Sequence, residues 1–216
     1  MKIACIGYRS WALKIYDSLA QSTDHDFLII RSKDQYKEKA ITEFFPDLVL
    51  FYGWSWIISK NIVNSFKCVM LHPSALPKYR GGSPLQNQII DGLEIGAVTL
   101  FLIQEELDAG PILLQKEISL LGTLNQIFKR ITKVGIELTE DIIKNGMNPT
   151  AQNEESASYC KRRTPSQSEI TLSELKNKDS TYLYNKIRML QDPYPNAYIK
   201  TVDGKRLILT KAEIRD

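Results

Sequence analysis

The segment VMLHPSALPKYRGGSP, residues 69–84, contains His72, one of only two histidines in the chain. Prolines, glycines and cationic side chains surround this histidine, and they offer little apolar surface to offset the entropy lost when the segment becomes ordered. Such a loop is usually ordered for a ligand. The prolines fix φ on either side of the turn, while Gly81 and Gly82 allow positive φ or a close approach of the backbone to a bound molecule. The helix that begins at Ser83 would favour an anionic group at its N-terminus.

Asp108, in the sequence EELDAGPI, is the second candidate for chemistry. If neighbouring strands bring it beside His72, the carboxylate would orient the imidazole, and the pair could move protons during a reaction. Each residue also has an ordinary structural explanation. Asp and Gly are common in turns, and a histidine at the end of a strand is often satisfied by one backbone hydrogen bond.

Apolar runs of strand length alternate with helical patterns along the first two thirds of the chain. Runs that are apolar on both faces are typical of strands in a buried parallel sheet. The predicted strands are residues 2–6, 26–31, 47–53, 68–71, 97–103 and 111–120, and the predicted helices are residues 11–20, 33–45, 59–66, 83–92 and 123–145, the last one stopped by Gly146. This order predicts a doubly wound α/β domain with a mostly parallel sheet. His72 directly follows the strand 68–71, and ligands of such sheets gather at the carboxyl ends of the strands.

Residues 147–169 are polar and poor in large apolar groups, which predicts a linker along the surface. Residues 180–190 have the spacing of a helix, and residues 197–210 place two β-rich runs around an Asp-Gly turn, the signature of a hairpin. One helix and two strands are too few to fold alone. We therefore predict a core domain over residues 1–146 and a small subdomain over residues 170–216. The subdomain should dock on the core or on a second subunit, so a homodimer is a further prediction.

The composition argues against several classes of protein. With 28 basic and 25 acidic side chains the net charge is only +3, so electrostatics predict neither a nucleic-acid surface nor a membrane surface. The three cysteines form no CxxC pair, which argues against a disulfide framework or a metal site and indicates a reducing, cytoplasmic environment. The N-terminal apolar run is five residues long, too short for a signal peptide or a membrane span.

Two blocks, LHPSALPKYRGGSPLQNQIIDG at residues 71–92 and AVTLFLIQEELDAGPILLQ at residues 97–115, resemble the catalytic core of the folate-dependent formyltransferases. Enzymes of that family move a formyl group from 10-formyltetrahydrofolate to an amine. FYGWSWIISKNIV, at residues 51–63, is similar to the folate-side strand and loop of the family. CKRRTP and YNKIRMLQDPYPNAY, at residues 160–165 and 184–198, are similar to the segment after its core. The ordered combination of blocks is far more specific than any one of them.

The resemblance implies roles for His72 and Asp108, and it also contains a departure from the family pattern. Amine attack on a formyl carbon creates a tetrahedral oxyanion, which in the family an Asn and the His stabilise while the Asp orients the imidazole. That Asn lies two residues before the His, where this chain has Met70. Methionine cannot donate a hydrogen bond, and one lost oxyanion donor typically lowers the rate about 100- to 1000-fold.

Three interpretations of Met70 are open. The chain is an enzyme with a substitute donor such as Asn87, Gln86 or a backbone amide, an enzyme that handles the folate differently, or a non-catalytic relative that binds folate or nucleotide. We favour the first because the other blocks of the site are present.

By resemblance, the pterin of the co-substrate 10-formyltetrahydrofolate would lie beside Trp56, Ile57, Ile58, Gly82, Gln104, Glu105, Glu106, Leu107 and Asp108. Backbone groups of the 104–108 loop would contact the edge of its ring. Trp54 and Trp56 are equally well explained as aromatic residues of the core or of an interface.

The acceptor amine is the least constrained part of the prediction. Methionyl-tRNA formyltransferases share the KYRG and DPYPNAY sequences but carry a C-terminal β-barrel domain for tRNA, whereas about fifty residues follow the linker here. The resemblance therefore favours the small sugar N-formyltransferases, including those of pseudaminic-acid-type pathways, which act on an amino-deoxy sugar attached to a nucleotide. The diphosphate would suit Arg9, Lys78, Arg80 or the helix start at Ser83, although solvated surface cations are common. A methionyl-tRNA or other small-amine formyltransferase is the alternative.

Overall fold

A computed structural model describes residues 1–215. Its strands and helices follow one another in the order β1 (Lys2–Ile6), α1 (Ser10–Ser22), β2 (Asp26–Ile30), α2 (Glu38–Phe44), β3 (Leu48–Tyr52), α3 (Lys60–Ser65), β4 (Cys68–His72), β5 (Arg80–Gly81), α4 (Pro84–Ile90), β6 (Ile95–Leu102), β7 (Ile112–Ser119), α5 (Leu124–Asn145), β8 (Tyr159–Cys160), α6 (Leu172–Asn177), α7 (Ser180–Met189), β9 (Ala197–Lys200) and β10 (Arg206–Leu209). Each predicted strand and helix is present, and the two-residue strands β5 and β8 and the short helix α6 are additions to the prediction.

The central sheet has six strands in the order β2-β1-β3-β4-β6-β7. Strands β1 to β4 run parallel to one another, whereas β6 is antiparallel to β4 and β7 is antiparallel to β6. The predicted doubly wound, mostly parallel α/β fold is confirmed. Only residues 103–111 join β6 to β7, and a connection this short can link antiparallel strands but is too short for a parallel crossover.

The two faces of the sheet each carry a core, because side chains alternate along a strand. In β1, Ile3 and Cys5 belong to the larger core, which α1, α4 and α5 cover. Ala4 and Ile6 belong to the smaller core, which α2 and α3 cover. Helices on both faces explain why the strands read as continuous apolar runs. They also bury the thiols of Cys5 and Cys68, as the apolar surroundings of these residues predict.

Helix α5 has the boundaries that its sequence signals predict. The Thr123 hydroxyl accepts a hydrogen bond from the backbone N–H of Gln126, and the Gln126 side-chain oxygen accepts one from the backbone N–H of Thr123, which forms a capping box. Gly146 follows the last turn with φ +84°, a conformation that favours glycine. Within residues 1–215, no helix has both the length and the apolar character of a membrane span.

The predicted C-terminal helix and hairpin, α7 with β9 and β10, dock on the core domain. Ile187, Met189 and Ala197 are buried in the larger core. Arg188 is buried beside them and donates a 2.7 Å hydrogen bond to the carbonyl oxygen of Leu120. Docking on the core therefore supplies the apolar contacts that this small unit lacks by itself.

The polar linker is attached more closely than a plain surface connection. Thr150 forms an antiparallel bridge with Ile112, and β8 pairs in parallel with β5. The linker therefore lies alongside the loop that follows His72. Contacts of this kind use backbone hydrogen bonds and leave no hydrophobic period in the sequence, so the composition alone did not indicate them.

Candidate active site

His72 is the last residue of β4, and its side chain is only 5% exposed. Nε2 lies 2.8 Å from the carbonyl oxygen of Tyr79, and because a carbonyl can only accept, Nε2 donates. Nδ1 lies 3.6 Å from Oδ2 of Asp108, slightly beyond hydrogen-bond distance. With Nε2 donating, an attractive contact with the carboxylate needs a second proton on Nδ1. The predicted proximity of His72 and Asp108 is confirmed.

Asp108 reaches His72 by a route that the apolar pattern did not indicate. Because β6 runs antiparallel to β4, its end lies beside Val69 and not beside His72. Residues 103–111 fold back to cover that distance. The Asp108 carboxylate then accepts a 2.8 Å hydrogen bond on Oδ2 from the backbone N–H of Gly81. Contacts of the loop, and not the end of a strand, therefore set the position of this carboxylate.

Three non-glycine residues in the loops around His72 have left-handed backbone conformations. They are Tyr79 with φ +60°, Ser83 with φ +55° and Asp108 with φ +53°. Each such conformation costs roughly 1–2 kcal/mol, and residues strained in this way cluster at functional sites. Two of the three, Tyr79 and Asp108, are the residues that flank the nitrogens of the imidazole.

A cavity of about 610 Å³ opens beside the pair. This volume is typical of sites for small ligands and cofactors, which combine apolar and aromatic side chains with a few polar groups. His72 and Asp108 both lie in its wall, together with Arg9, Trp54, Ser55, Trp56, Ile57, Met70, Gly82, Gln86, Leu107, Arg162, Arg163 and Tyr194.

Met70 faces the cavity from the same side of β4 as His72, because residues two apart on a strand share a face. It also packs on the smaller core, as Trp54 and Ile58 do. The position to which the resemblance assigns an amide donor therefore points into the site, and here it presents a thioether without a donor.

The two side chains considered as substitutes for the missing donor differ in position. Asn87 lies outside the cavity wall and donates to three backbone carbonyls, the longest hydrogen bond being 3.3 Å. Gln86 is 4% exposed and lines the cavity. Burial raises the pKa of the neighbouring Tyr194 hydroxyl, and a hydrogen bond with Gln86 opposes that rise. The expectation for Asn87 is therefore wrong, because its amide is already used within the fold.

Five of the nine residues predicted to contact the pterin line the cavity, namely Trp56, Ile57, Gly82, Leu107 and Asp108. Ile57 and Leu107 are 97% and 61% exposed. A flat ligand that covers these exposed apolar side chains removes them from water, and this burial contributes favourably to the free energy of binding.

The other four residues of that prediction lie outside the cavity wall. Ile58 packs on the smaller core, and Gln104 is exposed. Glu105 forms a 2.8 Å ion pair with Lys60, and Glu106 accepts a 3.3 Å hydrogen bond from a tyrosine hydroxyl. Their side chains therefore make contacts within the protein or with solvent.

The two glycines of the histidine loop make room for the linker. A Cβ on Gly81, which has φ +98°, would lie 2.6 Å from the carbonyl oxygen of Cys160. A Cβ on Gly82 would lie 2.6 Å from the backbone of Arg162. The close approach that these glycines permit is therefore to the chain's own linker.

Of the three cations predicted to bind a substrate diphosphate, only Arg9 lines the cavity. Lys78 is exposed and lies outside the wall. Arg80 is fully buried, and its guanidinium makes five hydrogen bonds to Gln152, Glu154 and a tyrosine hydroxyl. The prediction for Arg80 is wrong because five N–H donors are all that a guanidinium has, and all five are used within the protein.

Two arginines that the sequence analysis did not single out, Arg162 and Arg163, line the cavity. Nη2 of Arg162 lies 3.4 Å from the carbonyl oxygen of Ser55, whose hydroxyl is 2.8 Å from that of Tyr8. The Arg9 guanidinium lies 4.7 Å from the centre of the Tyr8 ring. Arg9 and Arg162 therefore approach the same rim of the cavity, and the basic run CKRRTP was the only signal of this in the sequence.

Arg163 is an unusual cation because, within residues 1–215, its buried Nε has no hydrogen-bond partner. Burial lowers the pKa of its guanidinium. Among residues 1–215, Arg9, Arg162 and Arg163 form no ion pair with a carboxylate. A partly desolvated cation such as Arg163 is costly without a charged partner, and Arg9 and Arg162 add positive charge to the same wall, so this wall is suited to an anionic ligand.

Comparison with known proteins gives the family. A family model described as formyl transferase matches residues 19–140, more than half of the chain. The methionyl-tRNA formyltransferase of Lysinibacillus sphaericus (strain C3-41) is 35% identical over 167 residues, which cover 74% of this chain and 52% of that protein. The chain spans about half the length of this curated relative. It belongs to the formyl transferase family.

Two solved structures extend the comparison. A methionyl-tRNA formyltransferase from Clostridium thermocellum has a TM-score of 0.91 at 31% identity, covering 100% of this chain and 94% of that chain. A sugar N-formyltransferase from Shewanella sp FDAARGOS_354 has a TM-score of 0.77 at 20% identity, covering 100% and 99% of the two chains. The second likeness shows the fold alone.

Proposed function

We propose that this protein transfers a formyl group from 10-formyltetrahydrofolate to an amine. The observation that carries the proposal is the His72–Asp108 pair in the wall of the 610 Å³ cavity, in a chain of the formyl transferase family. Trp56, Ile57 and Leu107 offer aromatic and apolar surface for the pterin at the same cavity.

In the proposed reaction the acceptor amine attacks the formyl carbon, and the carbonyl oxygen becomes an oxyanion. A protonated His72 donates to this oxygen, and Asp108 holds the ring. Nδ1 is the nitrogen better placed to share its proton with the substrate, because its 3.6 Å contact with Asp108 is looser than the 2.8 Å bond of Nε2. The bond between carbon and the folate nitrogen then breaks, that nitrogen takes up a proton, and the amine loses one.

Gln86 is the proposed second donor to the oxyanion. It is the side-chain substitute for Met70 that faces the cavity, and its amide can donate two hydrogen bonds. Single-turnover formyl transfer tests this role. Gln86→Leu should be slower than the parent by about 100- to 1000-fold, whereas Asn87→Ala, at a residue outside the wall, should retain the parent rate. Equal rates for Gln86→Leu and the parent would remove Gln86 from the mechanism.

For the acceptor we propose an amino-deoxy sugar linked to a nucleotide. The guanidiniums of Arg9, Arg162 and Arg163 in the cavity wall, which form no ion pair with a carboxylate of residues 1–215, would make charge-assisted hydrogen bonds to a diphosphate. A cytoplasmic location, where such substrates are available, stays a prediction.

Methionyl-tRNA is a second candidate acceptor. The curated relative from Lysinibacillus sphaericus and the structure from Clostridium thermocellum both carry the name methionyl-tRNA formyltransferase. The guanidiniums of the cavity wall would suit phosphates at the end of a tRNA as well. A non-catalytic protein that binds folate is the third candidate, and Met70 is the observation that favours it.

One assay distinguishes the three candidates. The protein is incubated with 10-formyltetrahydrofolate and, separately, with nucleotide-linked 3-amino sugars, nucleotide-linked 4-amino sugars and methionyl-tRNA. Mass spectrometry then detects the gain of one formyl group. We expect the gain on a nucleotide sugar. Gain on methionyl-tRNA alone would establish the second candidate, and folate binding without gain on any acceptor would establish the third.

Variants of the pair test the mechanism. General acid–base groups contribute about 100- to 10,000-fold, so His72→Ala and Asp108→Asn should each lower the rate by that order. The matched control is His25→Ala, which changes the other histidine, outside the cavity wall. Unchanged rates in both site variants, with folded protein, would remove the pair from the reaction.

A further inference from the structure

Gln152, in the linker, bonds the backbone around Asp108. Its Nε2 donates to the carbonyl oxygen of Asp108 at 2.9 Å and to that of Gly110 at 2.6 Å. We propose that Gln152 is a positioning residue for the Asp108 carboxylate, and that Arg80 fixes the orientation of the Gln152 amide. The inference rests on the proposed function, in which Asp108 holds the imidazole that donates to the oxyanion.

Arg80 determines which way the Gln152 amide faces. Nε and Nη2 of Arg80 lie 3.0 Å and 2.8 Å from Oε1 of Gln152. A guanidinium has donors only, so the oxygen of the amide must face it, and the NH₂ group must face the two carbonyls of the loop. Reversing the amide would place donors against donors and acceptors against acceptors.

Arg80 is itself held rigidly. Its side chain has no exposed surface, and Glu154 accepts from it in a bidentate arrangement, at 2.8 Å from Nη1 and 2.6 Å from Nη2. The hydroxyl of Tyr159 accepts the remaining hydrogen bond, at 2.9 Å. Planar, bidentate pairing of this kind restricts the guanidinium geometrically as well as energetically.

Asp108 needs such support because its backbone lies in the left-handed region, at φ +53°. Two consecutive residues of β5 provide it. Arg80 acts through Gln152 on the main chain of Asp108, while the N–H of Gly81 donates directly to its carboxylate at 2.8 Å. The main chain and the side chain are thus fixed by separate contacts, and the carboxylate is held 3.6 Å from Nδ1 of His72. The linker, which the sequence indicates only as a polar connection, is therefore part of the active site.

Gln152→Glu tests the inference. The new carboxylate keeps an acceptor for Arg80 but replaces the donating NH₂ with an oxygen that repels the two carbonyls. We expect kcat to fall about 10- to 100-fold, because a displacement of about 1 Å of a reacting group has an effect of that size. Gln126→Glu is the matched control, since the Gln126 oxygen accepts from the backbone N–H of Thr123 at 2.9 Å and a carboxylate preserves this contact.

A double-variant cycle separates positioning from general support of the fold. If Gln152 acts through Asp108, then Gln152→Glu should lower kcat in the parent but cause less than a twofold further loss in an Asp108→Asn background. An equal loss in both backgrounds, or parent-like kcat for Gln152→Glu, would overturn the proposal. Should Gln152→Glu fail to fold, Glu154→Gln weakens the Arg80 anchor from an exposed position, and the same cycle is measured with it.

A second readout does not depend on activity. The chain has only two histidines, so proton NMR gives two sets of ring signals, and His25→Gln identifies those of His72. At fixed pH the His72 signals should move in the same direction in Gln152→Glu as in Asp108→Asn, and should not move in Gln126→Glu. If the parent forms no formylated product and the His72 signals still respond in this way, the proposed function fails while the positioning role stands. Signals that move in Asp108→Asn but not in Gln152→Glu would refute the positioning role.

Discussion

Replacing Met70 by Asn tests whether the site retains the geometry for a donor beside His72. The two residues share one face of β4 and both line the cavity, so an amide at this position would point towards the reacting atoms. One oxyanion donor contributes about 3–4 kcal/mol to the transition state, which corresponds to a rate change of about 100- to 1000-fold. If the parent protein has no second donor to the oxyanion, Met70→Asn should raise kcat by about 100- to 1000-fold. If Gln86 already supplies that donor, the increase should be less than about tenfold.

The same substitution should lower the stability of the fold. This effect independently checks that the Met70 side chain is half-buried against the smaller core. Met70 is half-buried and packs on the smaller core. Burial of a methionine side chain contributes roughly 1.5–3 kcal/mol, and part of this contribution would be lost. Because the amide of the new side chain would also be partly buried, we expect the free energy of unfolding to fall by about 2 kcal/mol. For a chain of this size the melting temperature should fall by roughly 4–8 °C.

The assay is single-turnover formyl transfer under saturating 10-formyltetrahydrofolate, with product read by mass. Met70→Leu is the control, because it preserves the apolar volume and adds no donor; it should keep the parent rate and lose little stability. The combination Gln86→Leu with Met70→Asn should recover the rate that Gln86→Leu loses. A folded Met70→Asn protein with parent rate, in both the Gln86 and the Gln86→Leu backgrounds, would refute the view that this position faces the oxyanion.

Three further predictions concern the linker, acid stability and assembly. Gly82→Ala should destabilise the fold by about 1–3 kcal/mol in urea unfolding, because a Cβ would lie 2.6 Å from the backbone of Arg162; parent-like stability would contradict that contact. The hydrogen bond from Arg80 lowers the pKa of Glu154 below its ordinary 4.5, so the contact stabilises the fold above that pH and is lost as the pH falls through the lowered value. The free energy of unfolding, measured from about pH 7 to about pH 3, should therefore change less with pH in Glu154→Gln than in the parent. Equal pH dependence in the two proteins would contradict this. If the protein forms a homodimer through the hairpin, its mass in sedimentation should increase with concentration. Leu207 is 56% exposed on the hairpin, and Leu207→Lys should abolish this increase. A monomeric mass at every concentration of the parent would exclude the homodimer.

The apolar pattern predicts the central strands well because burial on both faces leaves few polar positions in them. All five residues of β3, LVLFY, are buried. The direction of a strand leaves no such trace. Strand β6 reads like β3 but runs antiparallel to β4, because its direction depends on the path of the connections around it. The resemblance implied the pairing of His72 with Asp108, but the fold-back of residues 103–111 that brings them together leaves no trace in the apolar pattern.

Polar side chains were predicted less well, since their partners depend on distances in space that the sequence does not record. Arg80 was placed in the substrate site from its position in the loop, and its actual partners are more than 70 residues away. Gln152 lies in a segment without hydrophobic period and has no motif. Arg162 and Arg163 belong to a basic run that is equally typical of a solvated surface.

The backbone conformation of the residues around His72 bears on whether the site is active. Tyr79 and Asp108, which flank the two opposite nitrogens of the imidazole, both hold left-handed conformations, at roughly 1–2 kcal/mol each. A domain of this kind has a net stability of only about 5–15 kcal/mol, so strain of this size is a substantial fraction of it. The strained residues fix the imidazole nitrogens and do not enlarge the apolar surface that folate binding needs. A protein that only bound folate would gain stability by relaxing them, so their presence favours a transferase in which Met70 has changed the donor and not the reaction.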